Sequence, residues 1–324
     1  MSTNRSKLFL GIDTSCYTTS IALFNSTNDT METYKKLLPV KPGALGLRQS
    51  EMIFHHIKAL PELLKPVNIQ SSDILAIGVS DKPRSEEGSY MPAFLAGTSL
   101  AQSLSNILQV PLFKLSHQEN HLLAAKWSAD MPHYDKYLFV HLSGGTTEFI
   151  IVNQNQFTLV ASTMDISAGQ FVDRVGVKLG LNFPCGPHLE ALATHSASSP
   201  ALLLPVAVKQ DKLSFAGPCS AALRLLDKNP SAKADIALAV LQCISTSLYK
   251  IIKNLSTKYE VNKVLLAGGV AANTQIKNYL HTNLQQKNIK VFVAQPQYSS
   301  DNAAGCALYA EQAWSNDRKI LYGQ

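Results

Sequence analysis

In Tyr137-Leu138-Phe139-Val140-His141-Leu142-Ser143-Gly144-Gly145-Thr146-Thr147, an apolar run enters a turn of glycine and hydroxyl-bearing residues. A second apolar run follows at 148–152, so the stretch predicts a strand, a turn and a returning strand. The same layout occurs near the start of the chain, where residues 7–13 lead through a small polar turn into residues 20–24. This repeat predicts two similarly folded lobes that face each other across a cleft.

Outside the two hairpins, helical and strand patterns alternate, which predicts an α/β fold. The segment 196–220 mixes apolar and turn residues and receives no assignment. The predicted helices are 50–64, 91–108, the run after His117, 169–179, 188–195, 233–253, the segment after Asn273 and a last one to about Trp314, and the strands are 74–80, a short one after Pro111, 263–267 and 290–293.

Length and composition limit the classes of protein. The chain has 324 residues, of which 46% are hydrophobic and 16% charged. A chain of this length exceeds what one core usually supports, so two lobes are expected. The start resembles no signal peptide and no apolar run has the length of a membrane span, which favours a cytoplasmic protein. Five scattered cysteines favour free thiols, and a net charge of +6 permits an RNA partner without requiring one.

A histidine pair is the strongest sign of a metal. His117 and His121 stand four apart at the start of a predicted helix, so both imidazoles can reach one ion. The alternative is a helix face without a metal. Gln118 occupies the place where zinc proteases carry a general base, which argues against a protease. Asp301, or Ser300, is expected to cap the last helix, and an Asp301 carboxylate brought to the pair would complete a two-histidine, one-carboxylate site for iron or zinc.

Glycine-rich turns after predicted strands indicate a nucleotide. Gly144 and Gly145 allow the main chain to approach a ligand closely, and backbone N–H groups of both hairpin turns can converge on phosphates. Gly268-Gly269, between a strand and a helix, suits a sugar or base lying on the backbone. Tight packing turns without a ligand are the alternative. The polar loop 81–90 follows a strand and could also meet phosphate.

Together these motifs resemble the TsaD family of tRNA threonylcarbamoyladenosine synthases, once described as glycoproteases. The resemblance covers nearly the whole chain, in order and approximate spacing. It is carried by Gly11-Ile12-Asp13-Thr14-Ser15-Cys16, His117 with His121, Leu142-Ser143-Gly144-Gly145, Ala168-Gly169 with Asp173, Pro184 with Gly186-Pro187, Gly268-Gly269-Val270-Ala271-Ala272-Asn273 and Ser300-Asp301-Asn302-Ala303-Ala304.

The resemblance implies a two-lobed fold similar to actin, sugar kinases and Hsp70, with duplicated RNase H-like lobes. The lobes would comprise residues 1–112 with 300–324, and residues 113–299. It also implies transfer of threonylcarbamoyl from threonylcarbamoyl-adenylate to the adenosine beside the anticodon of tRNA, with no protein nucleophile. The resemblance also implies TsaB-like and TsaE-like proteins as partners. It leaves the oligomeric state open.

By the same resemblance, three residues match the metal ligands of the family, and eight match its adenylate-binding positions. The metal positions are His117, His121 and Asp301. The adenylate positions are Leu142, Ser143, Gly144, Gly145, Thr146, Asp173, Gly186 and Asn273.

Four departures from the family pattern concern the surroundings of the substrate. Tyr17 and Thr18 stand where the family has two acids, and Thr146 stands where it has a histidine. The segment 81–88 replaces a Gly-Pro-Gly-Leu loop, and Cys185 replaces a glycine. The departures predict that nucleotide binding persists while group transfer suffers.

Three functions of different classes follow. The first is a metal-dependent transferase acting on tRNA. The second is a divergent paralogue that binds a nucleotide or partner without that transfer. The third is a small-molecule kinase of the same fold superfamily, although no clear aspartate base for a substrate hydroxyl was found in the linking segments. A peptidase ranks last.

Overall fold

The computed structural model describes residues 6–15, 17–39, 47–67, 73–154, 156–196, 202–209 and 211–322. Cys16 of the first hairpin turn and part of the unassigned segment lie outside these ranges. The chain divides into two compact units, Met1–Ala124 with Asp301–Gln324 and Ala125–Ser300. The boundary between Ala124 and Ala125 lies inside the helix that begins at His117. The sequence analysis gave a boundary after residue 112 instead.

Helices and strands follow the predicted alternation closely. In chain order they are β1 (Leu8–Asp13), β2 (Thr18–Asn25), β3 (Thr30–Leu37), α1 (Gln49–Leu64), β4 (Ile74–Lys82), α2 (Phe94–Leu108), β5 (Leu112–Ser116), α3 (His117–Ser128), β6 (Lys136–Leu142), β7 (Thr147–Asn153), β8 (Gln156–Ser162), α4 (Ala168–Lys178), α5 (Gly186–Ala193), β9 (Val208–Lys209), β10 (Lys212–Leu213), α6 (Ala216–Lys228), α7 (Lys233–Lys258), β11 (Lys263–Ala267), α8 (Thr274–Gln285), β12 (Lys290–Val293) and α9 (Ala304–Tyr322).

Each unit contains a five-stranded sheet, and the two sheets have the same layout. The strand orders are β3-β2-β1-β4-β5 and β8-β7-β6-β11-β12. In both, three consecutive strands form an antiparallel meander. The first of them pairs in parallel with one later strand, which pairs in parallel with a second one at the edge of the sheet. The predicted duplication is therefore confirmed at the level of topology. The third strand of each meander, β3 and β8, was not predicted.

Helix α9 packs directly on the first sheet. A Cβ atom at Gly11 would lie 2.3 Å from the carbonyl oxygen of Ala303, and one at Gly78 would lie 1.9 Å from that of Cys306. Only glycine permits so close an approach of a strand and a helix. Strands β1 and β4 are consequently buried along most of their length, which explains their nearly continuous apolar sequences.

Helix α7 is the central helix of the second unit. Its predicted apolar face is fully buried, and its members are Ile236, Val240, Ile244, Leu248, Ile251 and Leu255. Contrary to the expectation that no apolar run has the length of a membrane span, α7 is long and apolar enough to cross one. Two thirds of its most apolar window is buried within the unit, however. That burial is the behaviour of a core helix in a large domain.

The start of the last helix differs from the prediction. Helix α9 begins at Ala304, and the side-chain oxygen of Asn302 accepts a hydrogen bond of 2.9 Å from the Ala304 N–H. Asn302 therefore takes the capping position that was predicted for Ser300 or Asp301. An asparagine is as good a cap as an aspartate, and the Asp301 carboxylate makes its contacts with two histidines instead.

Candidate functional site

The first turn of α3 is fixed by reciprocal capping. The N–H of Glu119 donates to the Ser116 hydroxyl over 3.2 Å, and the Glu119 carboxylate accepts from the Ser116 N–H over 2.7 Å. This capping box satisfies N–H groups that would otherwise lack partners and makes the helix begin at His117. The Pro83 carbonyl of the polar loop accepts from the Gln118 N–H over 3.1 Å. Loop 81–90 thus supports the start of the histidine helix.

Asn120 and Gly305 bring α9 against α3. The buried amide of Asn120 donates to the Asn302 carbonyl over 2.6 Å and accepts from the Cys306 N–H over 3.0 Å. A Cβ atom at Gly305 would lie 2.0 Å from the Asn120 carbonyl oxygen. The two helices can therefore approach only because residue 305 is glycine, and this approach places Asp301 beside the histidine pair.

His117, His121 and Asp301 converge with their ligand atoms together. His117 Nε2 lies 3.0 Å from His121 Nε2 and 3.7 Å from Asp301 Oδ1, and His121 Nε2 lies 3.3 Å from the same oxygen. The three residues form a cluster that could hold a metal ion.

These spacings fit one ion. Two atoms that each lie about 2.1 Å from a metal are about 3.0 Å apart at a right angle and about 3.4 Å apart at a tetrahedral angle. The three measured separations fall close to these values. The side chains of His117, His121 and Asp301 are 20%, 8% and 29% exposed, so an ion held by them would keep open coordination positions. Two imidazoles and one carboxylate with open positions suit iron or zinc.

The charges of the cluster are strongly coupled. Burial by itself lowers the pKa of His117, but the carboxylates of Asp13 and Asp301 oppose it and raise the pKa to about 10. Burial raises the pKa of Asp301, and hydrogen bonds from His117 and His121 outweigh it, so that this pKa lies well below 3.8. The neighbouring carboxylates thus favour the protonated form of His117. A metal ion therefore has to displace a proton.

A second candidate site is a cavity of about 380 Å³ within the second unit. Such a volume lies in the range of small-molecule pockets. Its wall is largely apolar and carries two carboxylates. The lining residues are Gly144, Gly169, Val172, Asp173, Pro184, Gly186, Pro187, Glu190, Leu241, Gly269, Val270, Ala272, Asn273 and Ile276.

Four of the eight sequence-predicted adenylate residues line this cavity: Gly144, Asp173, Gly186 and Asn273. Asp173 also accepts a hydrogen bond of 2.9 Å from the Cys185 N–H, and the Asn273 side chain caps α8 by accepting from the Ile276 N–H over 3.0 Å. Both side chains thus shape the backbone of the cavity as well as lining it.

The other four predicted residues, Leu142, Ser143, Gly145 and Thr146, are not part of the lining. Leu142 is a buried core residue whose carbonyl accepts from the Val270 N–H. Ser143 closes the turn, because its hydroxyl accepts from the Thr146 N–H over 3.0 Å and its own N–H donates to the Thr146 carbonyl. Gly145 leaves open space where a side chain would be.

Two other glycines hold the turn 143–146 in place. A Cβ atom at Gly169 would lie 2.5 Å from the Ser143 carbonyl oxygen, and one at Gly268 would lie 2.1 Å from that of Leu142. Gly268 also has a φ of +103°, which side chains disfavour. The start of α4 and the turn after β11 can therefore approach the end of β6 and the hairpin turn this closely only because residues 169 and 268 are glycines.

The sequence did not identify several residues of these two sites. Glu190 lines the cavity and accepts a hydrogen bond of 2.7 Å from the Thr274 N–H. Leu241 also lines the cavity, but it belongs to the core helix α7. The apolar pattern of that helix indicates only burial. The Ser116-His117-Gln118-Glu119 stretch did carry the signature of a capping box, which would have fixed the start of α3.

Sequence comparisons find similarity to one protein family over most of this chain. A family model described as TsaD: tRNA N6-adenosine threonylcarbamoyltransferase matches residues 51–308. The tRNA N6-adenosine threonylcarbamoyltransferase of Thermosipho africanus is 30% identical, over 93% of this chain and 92% of that protein. A probable bifunctional tRNA threonylcarbamoyladenosine biosynthesis protein of Methanothermobacter thermautotrophicus is 27% identical over 92% of this chain and 54% of its own length. The chain therefore spans about half of that relative.

Similar solved structures come from other families. Component A of the (R)-2-hydroxyglutaryl-CoA dehydratase of Acidaminococcus fermentans has a TM-score of 0.59 at 15% identity, covering 95% of this chain and 99% of that one. A ROK family glucokinase of Streptomyces griseus has a TM-score of 0.53 at 11% identity, covering 94% and 99%. At these identities the likeness shows the fold alone. It confirms the predicted α/β fold class shared with sugar kinases.

Proposed function

We propose a function from one premise, that this chain belongs to the TsaD family of tRNA N6-adenosine threonylcarbamoyltransferases. The proposed reaction moves the threonylcarbamoyl group from threonylcarbamoyl-adenylate to the adenosine beside the anticodon of tRNA. The observation that carries the proposal is the convergence of His117, His121 and Asp301 in a chain whose family match covers most of its length.

The first unit would hold one divalent metal, iron or zinc, through His117, His121 and Asp301. A bound metal of this kind supplies Lewis-acid polarisation of a substrate oxygen, which can contribute several kcal/mol of transition-state stabilisation. The protein fixes the three ligands through the capping box of α3 and the bridge made by Asn120. No protein nucleophile is required, because an adenylate is already an activated acyl donor.

The second unit would bind the adenylate in the 380 Å³ cavity. The base would pack on the apolar wall formed by Leu241, Val270 and Ile276. Asp173 and Glu190 each use one carboxylate oxygen for a backbone N–H, and their second oxygens are the candidate acceptors for ribose hydroxyls. The open turn at Gly144 and Gly145 would offer backbone N–H groups to phosphate.

Partners and location follow from the proposed reaction. The substrate is tRNA, so we place the protein in the cytoplasm. TsaB-like and TsaE-like proteins are proposed as partners and can be tested by adding them, purified, to the assay.

The test is the yield of threonylcarbamoyladenosine on unmodified tRNA with supplied threonylcarbamoyl-adenylate and purified partners. His121→Ala should abolish the yield by removing a metal ligand, whereas His133→Ala, at a histidine that is 82% exposed, should leave it unchanged. Equal yields from both variants would refute the metal role.

A paired test addresses the cavity. Saturating ATP should raise the melting temperature, because it binds only the folded state. A Cβ atom at Gly269 meets no neighbour within 4 Å, so Gly269→Val fills the cavity without a clash and should remove the shift. Gly217→Val, at an equally open and exposed glycine of α6, is the matched control and should retain it.

A second candidate function is a divergent paralogue that binds adenylate without the transfer. Tyr17 favours it, because this side chain packs against the small apolar cluster of Leu38, Met52 and Ala93 where the family has an acid. A nucleotide-dependent melting shift combined with no modified nucleoside, even with all partners present, would support the paralogue over the transferase.

A further inference from the structure

Asp13 is a fully buried carboxylate at the end of β1, outside the metal-binding cluster. Its Oδ1 atom accepts a hydrogen bond of 3.2 Å from His117 Nδ1. His117 Nε2 is the ring atom that lies near His121 and Asp301. The two nitrogens of one imidazole therefore contact different partners, one on each side of the ring.

Two hydroxyl groups hold Asp13 in this orientation. Ser80 of the adjacent strand β4 donates to Oδ1, and Ser15 of the hairpin turn donates to Oδ2 over 2.8 Å. Strands β1 and β4 pair in parallel, so Asp13 and Ser80 lie side by side near the carboxyl ends of these two strands. These two donors fix the orientation of the carboxylate toward His117.

We propose that Asp13 is a positioning residue for the metal site, acting through His117. An ionised carboxylate can only accept hydrogen bonds, so it admits only the imidazole tautomer that carries its hydrogen on Nδ1. That tautomer presents the Nε2 lone pair to an ion. Asp13 thereby selects the ligating nitrogen and fixes the plane of the ring.

This inference rests on the proposed metal site and assigns a role to a residue outside the three ligands. The alternative is that Asp13 has only a structural role, as a buried acceptor for two serines. In that case the hydrogen bonds from Ser80 and Ser15 would be the same. The two roles differ in what they predict for His117, so the test has to report on the ring itself and not only on stability or activity.

The experiment measures Zn²⁺ and Co²⁺ affinity of the full chain by competition with a chelator, for wild type and Asp13→Asn. The amide keeps the shape, but its NH₂ group can donate to Nδ1 and favour the wrong tautomer. Affinity should fall by about 10- to 100-fold, as for other residues that orient a metal ligand. Asp211→Asn, the same change at a partly exposed aspartate of the second unit, should leave both affinities unchanged.

A second measurement needs no variant and therefore does not depend on Asp13→Asn folding. In the Zn²⁺-loaded wild type, ¹⁵N-resolved NMR of the histidine rings should show a protected N–H on Nδ1 of His117 and a metal-bound Nε2. The opposite assignment would overturn the inference, as would equal affinities of wild type and a folded Asp13→Asn. If the wild type binds neither ion, the metal site itself is refuted. The affinity measurement separates this result from a metal site that forms without any contribution from Asp13.

Discussion

At the scale of single residues, Asn120 joins the two chain segments that carry the proposed metal ligands. Replacing it by alanine removes the two buried hydrogen bonds that its side chain makes with the Asn302 carbonyl and the Cys306 N–H. An unsatisfied buried group costs about 1 to 3 kcal/mol, so Asn120→Ala should lower the free energy of unfolding by roughly 2 to 4 kcal/mol. Urea denaturation measures this loss. Asn283→Ala, which removes an exposed contact within α8, should change stability far less.

Tyr17 and Thr18, which stand where the family has two acids, differ in how well they would tolerate an acidic side chain. Thr18 is only 9% exposed and pairs with Leu37 at the start of β2. A glutamate there would place a carboxylate in a buried position, so Thr18→Glu should lower the melting temperature. A gain in transfer activity from restored acidity is therefore best tested with Tyr17→Asp alone.

For Tyr17→Asp, the measurement is modified-nucleoside yield on unmodified tRNA, with Tyr17→Phe as the control that keeps the ring. If the missing acid limits the reaction, the aspartate variant should gain activity and the phenylalanine variant should not. A folded Tyr17→Asp variant without any gain would show that this position does not control the chemistry.

At the scale of secondary structure elements, α6 receives its cap from a distant residue. The Asp165 carboxylate accepts from the N–H groups of Phe215 and Ala216 over 2.9 and 3.3 Å and from the Ser214 hydroxyl. Burial raises the pKa of Asp165, but the hydrogen bonds from Ser214 and the backbone outweigh it, so the pKa is lowered from 3.8.

Because the folded-state pKa is the lower one, Asp165 stabilises the protein fully above pH 3.8 and loses this effect as the pH falls through the folded-state value. Asp165→Asn should therefore destabilise the protein at neutral pH by about 0.5 to 1 kcal/mol, a cap contribution reduced by solvent screening. The difference from wild type should shrink in acid. Urea titrations at neutral and acidic pH check this, and a constant difference would contradict the capping role.

Helices and strands could be predicted from the sequence where local patterns determine them, and not where contacts between residues distant in sequence do. Helix α7 and strand β11 have periodic or continuous apolar sequences, and both were found at or near their predicted positions. Helix α6 was missed because its cap, Asp165, lies far away in sequence. For the sites, the spacing of His117 and His121 followed from helix geometry, whereas the contacts of Asp13 and Glu190 depend on tertiary structure.

At the scale of the whole molecule, the two proposed ligands should protect different parts of the chain from hydrogen exchange. Zn²⁺ should slow exchange at 116–121 and 301–306, because these segments carry the proposed metal ligands. ATP should slow it at 143–147, 186–190 and 268–276, around the cavity. Exchange followed by mass spectrometry distinguishes the two patterns, and Gly269→Val should remove only the ATP pattern. Protection by ATP confined to the first unit would contradict the proposed pocket.

The division of the chain has a consequence for its synthesis. His117 and His121 belong to the part that precedes the second unit, whereas Asp301 and helix α9 follow it. A ribosome releases the chain from the N-terminus, so both histidines emerge well before the carboxylate. A nascent chain cannot bring the three side chains together, or cover the first sheet with α9, until the whole second unit and α9 have been synthesised. The proposed metal site would therefore form only in chains that extend past Asp301, and products that stop before it would leave the ribosome without the site.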